Sequence, residues 1–112
     1  MELSISSHEN IPVLSVDGDI DVASAPTLEA AVESQSDSYQ VPVLLDLTQC
    51  AFIDSGGLNV LLQAVRHLNG HGCLGILGAN RNLRRVFEIV GLTSDPRFRL
   101  LDDLLEVSRP GG

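Results

Sequence analysis

The chain predicts an α/β fold: a single, mostly parallel sheet of about five strands with an antiparallel N-terminal strand, in the order β-β-α-β-α-β-α-β-α. Three observations carry this. Two short alternating stretches near the start, residues 3–6 and 13–16, are joined by a short link that suits an antiparallel pair. Residues 41–47 and 73–77 are almost continuously apolar, the pattern of strands covered on both faces of a parallel sheet. Between and after them lie segments with apolar residues at helical spacing.

The elements follow in order. Ile11-Pro12 interrupts the first two strands, and Gly18 closes the second. Ser24 is a suitable N-cap, with Pro26 in the first turn, where its missing N–H costs little. Ala25, Leu28, Ala31 and Val32 give that helix its apolar face, and residues 35–40 form a polar loop. Pro42 is tolerable only near the start of the third strand. The clearest helix spans residues 55–69, with Leu58, Leu61, Leu62, Val65 and Leu68 on one stripe and Asn69-Gly70 as the stop. In the next strand Gly75 suggests a close backbone or helix approach. Asn80 caps a third helix carrying Leu83, Val86, Phe87 and Val90, which Gly91 ends. A short strand at residues 98–100 and a small helix from about residue 102 to 107 complete the domain, expected over residues 1–108. Residues 109–112 read as a flexible tail.

A chain of 112 residues is one domain with room for a real core. No apolar run is long enough to span a bilayer, and Met1-Glu2 opens without a basic leader, so a cytoplasmic protein without membrane insertion is expected. Charge is unevenly spread. Residues 1–64 hold ten acidic side chains and no Lys or Arg, whereas residues 65–112 hold five acids and all seven bases, each an arginine. A formal net charge of −8 repels phosphate backbones, which argues against direct nucleic-acid binding. The acidic surface either solubilises the domain or attracts a basic protein partner. Cys50 and Cys73 form neither a zinc motif nor a disulfide framework, and no metal or cofactor is expected. If they flank adjacent parallel strands, their sulfurs lie at opposite ends, roughly 20 Å apart.

Parallel strands bring residues 18–21, 46–55 and 78–80 to one sheet edge, the carboxyl edge that ligands and partners of open α/β sheets favour. Ser55 stands there at a strand-to-helix junction, followed by Gly56 and Gly57. A protease role needs a histidine base, but His67 and His71 lie at the far end of the helix, about 20 Å away, and His8 lies before the second strand. The fingerprints of phosphate-binding loops are absent, and the chain has no lysine. Two readings of Ser55 remain: it caps its helix, or it carries a phosphate that the helix N-terminus tolerates. Asp21 and Asp54 flank it, with local turn bonding as their plainer role. Asp46 interrupts an apolar strand; it either meets solvent at the strand end or, as expected here, bonds the loop that presents Ser55.

The stretch Asp46-Leu47-Thr48-Gln49-Cys50-Ala51-Phe52-Ile53-Asp54-Ser55-Gly56-Gly57-Leu58 resembles the signature of the STAS domain, the fold of sulfate transporters and anti-sigma factor antagonists. Gly18-Asp19-Ile20-Asp21 resembles its earlier turn, and Arg84-Arg85-Val86-Phe87-Glu88-Ile89-Val90-Gly91-Leu92 resembles its third helix. The likeness spans nearly the whole chain and fits the free-standing bacterial antagonists best. It implies a binding module rather than an enzyme. Such a module engages an anti-sigma factor with serine kinase activity, is switched off by phosphorylation of the serine matching Ser55, and is restored by a serine phosphatase. By the same matching Asp21, Asp54, Gly56 and Leu58 belong to the partner-binding surface, with Asp46 and Gly57 supporting the site. Many members carry Ser or Thr where this chain has Gly56. The other implied role is a STAS scaffold or sensory module of a stress-signalling or lipid-transport assembly, without reversible phosphorylation.

Overall fold

The computed structural model describes residues 1–103, so the expected last helix and tail fall, apart from Asp102 and Asp103, outside the described residues. Strands β1 (Glu2–His8) and β2 (Ile11–Asp17) form an antiparallel hairpin in which Leu3 faces Val16 and His8 faces Ile11. The turn residues Glu9 and Asn10 have φ of 51° and 67°, the left-handed pair a type I′ turn requires. Both strands run further than alternation alone predicts, because Pro12 does not interrupt. It sits opposite Ser7 and before Val13, where pairing with the next strand begins, so its missing N–H takes nothing from that ladder.

Strands β3 (Val43–Gln49), β4 (Leu74–Leu77) and β5 (Phe98–Leu101) add in parallel, giving the spatial order β1-β2-β3-β4-β5. Helices α1 (Ala25–Gln35), α2 (Ser55–His67) and α3 (Arg81–Ile89) make the three crossovers, and a short 3-10 turn, Leu92–Ser94, precedes β5. Each crossover steps one strand in the same direction. Right-handed connections therefore put all three helices on one face of the sheet.

That face holds the main core. Leu14, Val16, Leu45, Leu47, Leu74 and Ile76 of the strands meet Leu28, Val32, Leu61, Val65, Leu83 and Phe87 of the helices. Phe87 and Phe98 pack edge to face, with ring centroids 5.4 Å apart. The opposite face carries a strip of strand residues, Val13, Leu44, Leu77 and Leu101, with no helical residue joining them among the described residues. Gly75 belongs to this second face. A side chain there would meet Leu44 and Leu101, so the glycine answers two leucine side chains in place of the close backbone or helix approach expected of it.

The buried face of α2 runs through Gly57, Val60, Leu61, Ala64 and Val65, leaving Leu58 and Leu62 half-buried at its margin. The helix ends at His67, two residues short of Asn69, because Leu68 turns out of it (φ −59°, ψ 131°) and enters the core. Cys50 and Cys73 are both free thiols, and burial pushes each above the usual thiol range, as suits inert packing residues.

The division between core and edge makes a direct test. Leu45→Ala, at a fully buried position in a central strand, should cost about 2–5 kcal/mol in urea unfolding. Ile5→Ala, 57% exposed on the edge strand, should stay within about 0.5 kcal/mol of wild type.

Candidate functional site: a clamped corner at the carboxyl edge

The β2–β3 ladder does not stop where the strands end. After a register irregularity between Ser15 and Asp17, the two loops continue side by side. The Gly18 N–H donates to the Gln49 carbonyl at 3.0 Å, Ile20 to Phe52 at 3.1 Å, and Asp54 to Ile20 at 3.0 Å. Ile20 and Ile53 face each other as an isolated parallel bridge, and both are buried in the main core. Alternation therefore turns Asp19 and Asp21 outward, where both are exposed.

Asp54, not Ser55, is the N-cap of α2. Its backbone is extended (φ −91°, ψ −176°), and its Oδ1 accepts from the Gly57 N–H at 3.0 Å. Its Oδ2 accepts from the Val22 N–H at 3.2 Å. One carboxylate thus fastens the β2–α1 loop to the start of α2. Ser55 is the first helical residue. It is exposed, and its hydroxyl has no hydrogen-bond partner among the described residues. Its N–H and that of Gly56 likewise find no acceptor there. The capping reading of Ser55 is corrected on this point: the cap is Asp54, whose side chain meets the Gly57 N–H and leaves those of Ser55 and Gly56 unmet.

Close packing explains both glycines. A Cβ on Gly57 would lie 2.5 Å from Ile20 Cγ2 and 2.8 Å from Ile53 Cγ1. A Cβ on Gly56 would lie 2.8 Å from Val22 Cα and 2.9 Å from Val22 Cβ. Gly56 therefore lets the β2–α1 loop lie directly on the helix start, with the Val22 side chain left 72% exposed beside Ser55.

Asp21 closes its own turn. Its Oδ1 accepts from the Ser24 N–H at 2.9 Å and the Ser24 hydroxyl at 3.1 Å, while Ser24 Oγ accepts from the Asp21 N–H at 3.0 Å. Ser24 stands at the head of α1 but makes no side-chain cap there; its hydroxyl is spent on Asp21. The Ser24 N–H, then the Ser24 hydroxyl, hold the Asp21 carboxyl below the usual carboxylate range, with smaller help from the Ala23 N–H and the N-terminal ammonium.

Asp46 does not bond the loop that presents Ser55, contrary to expectation. Its Oδ1 accepts from the Thr48 N–H at 3.0 Å and the Thr48 hydroxyl at 2.6 Å. Thr48 in turn fills the space over Gly78, where no side chain would fit. Asp46 thus orders the end of β3 against the β4–α3 loop. The loop itself is held by bonds that the sequence alone does not show. Asn80 caps α3 as expected, its Oδ1 accepting from the Leu83 N–H at 2.8 Å, and its amide also donates to the Ala51 carbonyl at 3.1 Å. The Cys50 thiol donates to the Phe52 carbonyl at 3.4 Å. Phe52 is 56% exposed. Nothing in the local sequence around residue 80 marks the second Asn80 bond, because its partner lies 29 residues away.

The profile of the family described as "Mlab, STAS domain" matches residues 3–106.

The chain belongs to the STAS-domain family.

Its similar relatives include the anti-sigma-F factor antagonist RsfB of Mycobacterium tuberculosis, 28% identical over 102 residues, covering 91% of this chain and 82% of that one. The anti-sigma-B factor antagonist of Listeria monocytogenes is 34% identical over 79 residues, covering 70% and 69%. Among solved structures, an anti-sigma factor antagonist from Mycobacterium paratuberculosis superposes with a TM-score of 0.79 at 27% identity, covering 94% of this STAS domain and 88% of that chain. Among the described residues no helix is long and apolar enough to cross a membrane, and no cluster of three His, Cys, Asp or Glu could hold a metal ion.

The clamp predicts unequal costs at neighbouring positions. Asp54→Ala should lose about 0.5–2 kcal/mol, the usual cost of a lost cap, whereas Ser55→Ala should stay within about 0.5 kcal/mol of wild type in thermal unfolding. Because folding lowers the Asp21 pKa, its contribution to stability is present above about pH 3.9 and fades as pH falls through the lower folded value. Carboxyl NMR should show Asp21 titrating below an unfolded reference, and Ser24→Ala should raise it toward that reference.

Proposed function

We propose that this STAS domain is an anti-sigma factor antagonist switched by phosphorylation of Ser55. In its unmodified form it binds an anti-sigma factor that is also a serine kinase, and so releases the sigma factor for transcription. The kinase transfers the γ-phosphoryl group of ATP to Ser55 Oγ. An O–P bond forms, the bond to ADP breaks, and the hydroxyl proton leaves. A serine phosphatase reverses the step with water.

One observation carries this reading: Ser55 is exposed at the first position of α2, free of bonds, on a loop fastened on both sides. A kinase can reach the hydroxyl without unfolding anything. The phosphate adds about −1.5 to −2 charges and three acceptor oxygens. The unmet N–H groups and dipole of the helix start favour it by about 0.3–1 kcal/mol, while the Asp54 carboxylate beside it opposes it. The folded state should therefore change little in stability. The partner meets the larger effect, since a bulky dianion at the centre of a docking surface both clashes and repels.

The remaining site residues take roles from this geometry. Asp21 and Asp54 set the acidic frame of the partner-binding surface, Gly56 and Leu58 present the first turn of α2 to it, and Gly57 lets the helix start pack on Ile20 and Ile53, while Asp46 orders only the end of β3 through Thr48. The packing of Val22 against Gly56, with no void left at the helix start, is consistent with Ser55 being held in place for modification.

Incubation with the cognate anti-sigma kinase and ATP should add a single phosphate by intact mass, and Ser55→Ala should abolish the addition. Phosphate on another residue, or none with a kinase active on its own control substrate, would instead favour the scaffold or sensory role.

A further inference from the structure

Beside Ser55 a furrow of about 560 Å³ runs between α1 and α2. Its floor is the buried pair Ala25 and Val60, and exposed Val22 closes the end next to Gly56. Small residues keep it open, for neither Ala30 on one wall nor Gly56 on the other carries a side chain beyond a methyl group. Glu29 and Glu33, one helical turn apart on α1, form its rim, and both are exposed.

The electrostatics of this furrow are one-sided. Every residue that lines it lies between positions 22 and 60, within the stretch of the chain that has no Lys or Arg. Among the described residues the ion pairs are Arg84–Asp102 and Arg97–Asp95, so neither rim glutamate is in an ion pair there. Asp21 and Asp54 extend the same sign of charge past the end that Val22 closes. An acidic rim around an apolar floor is what an amphipathic basic segment fills. Its apolar side chains desolvate Val22 and Val60, and Lys or Arg residues four apart meet Glu29 and Glu33.

We propose that the furrow between α1 and α2 seats a basic amphipathic helix of the protein partner, laid along it so that one end abuts Ser55. The inference rests on the partner-binding reading given above and adds to it where the partner lies and which chemistry recognises it. It also links binding to the switch, because a phosphate on Ser55 stands at the end of the seat, beside the apolar contact with Val22.

The test is titration calorimetry of the full chain with the cognate anti-sigma kinase at low and physiological salt. Glu29→Lys with Glu33→Lys should weaken binding at least tenfold and flatten its salt dependence. Glu9→Lys with Glu88→Lys, the same charge change on exposed positions away from the furrow, should stay within twofold. All variants should melt as wild type does, since the altered side chains are exposed. If the furrow pair binds as tightly as wild type, or loses no more than the control pair, the furrow is not the seat, while wild-type binding and phosphate transfer leave the proposed function standing. A wild-type chain that neither binds the kinase nor accepts phosphate overturns both.

Discussion

The corner at Ser55 depends on one carboxylate. Asp54 accepts from Gly57 with one oxygen and from Val22 with the other, so the cap of α2 and the joint between two loops are the same group. A cap without the Val22 bond would leave the β2–α1 loop beyond Ile20 to its own turn at Asp21, and a loop bond without the cap would leave the Gly57 N–H unmet as well as those of Ser55 and Gly56. Hydrogen bonds to a charged acceptor are the stronger kind, about 1.5–3 kcal/mol where neutral ones give about 1. A single side chain can therefore hold a solvent-facing corner in one arrangement.

The rest of the fold brings the partners of that carboxylate within reach. Strands placed in sequential order, each crossover stepping the same way, set the helices on one face and the loops 18–24 and 50–54 on one edge. Ile20 and Ile53 anchor those loops in the core, and Gly57 is bare because both isoleucines press against it. Gly56 is bare for a different reason, the approach of the Val22 backbone. Two adjacent glycines thus answer two different neighbours, one inside the core and one on the surface.

The strands, the helices and the carboxyl-edge location were legible in the chain because period and turn chemistry are local. Ser55 stood out because a serine before two glycines at a strand-to-helix junction is visible in a short window. Its role was less legible. Ser and Asp are both good caps, and only the extended backbone of Asp54 decides between residues 54 and 55. Asp46 was misplaced because alternation along β3 turns it to the face away from the helices, where Thr48 is the donor within reach. The Val22 bond to Asp54 and the second bond of Asn80, to Ala51, leave no local trace because the partners lie 32 and 29 residues away. Contacts at that separation come from topology, which no local pattern encodes.

In the proposed switch the corner is already in its binding geometry, and the phosphate alters its surface and leaves its fold intact. The direct measurement is the affinity of the cognate anti-sigma factor for unmodified and Ser55-phosphorylated protein, taken with the melting temperature of each. The account predicts at least a hundredfold loss of affinity, about 2.7 kcal/mol, with melting temperatures that nearly coincide. Equal affinities, or a phosphorylated form that loses affinity only because it has partly unfolded, would contradict it.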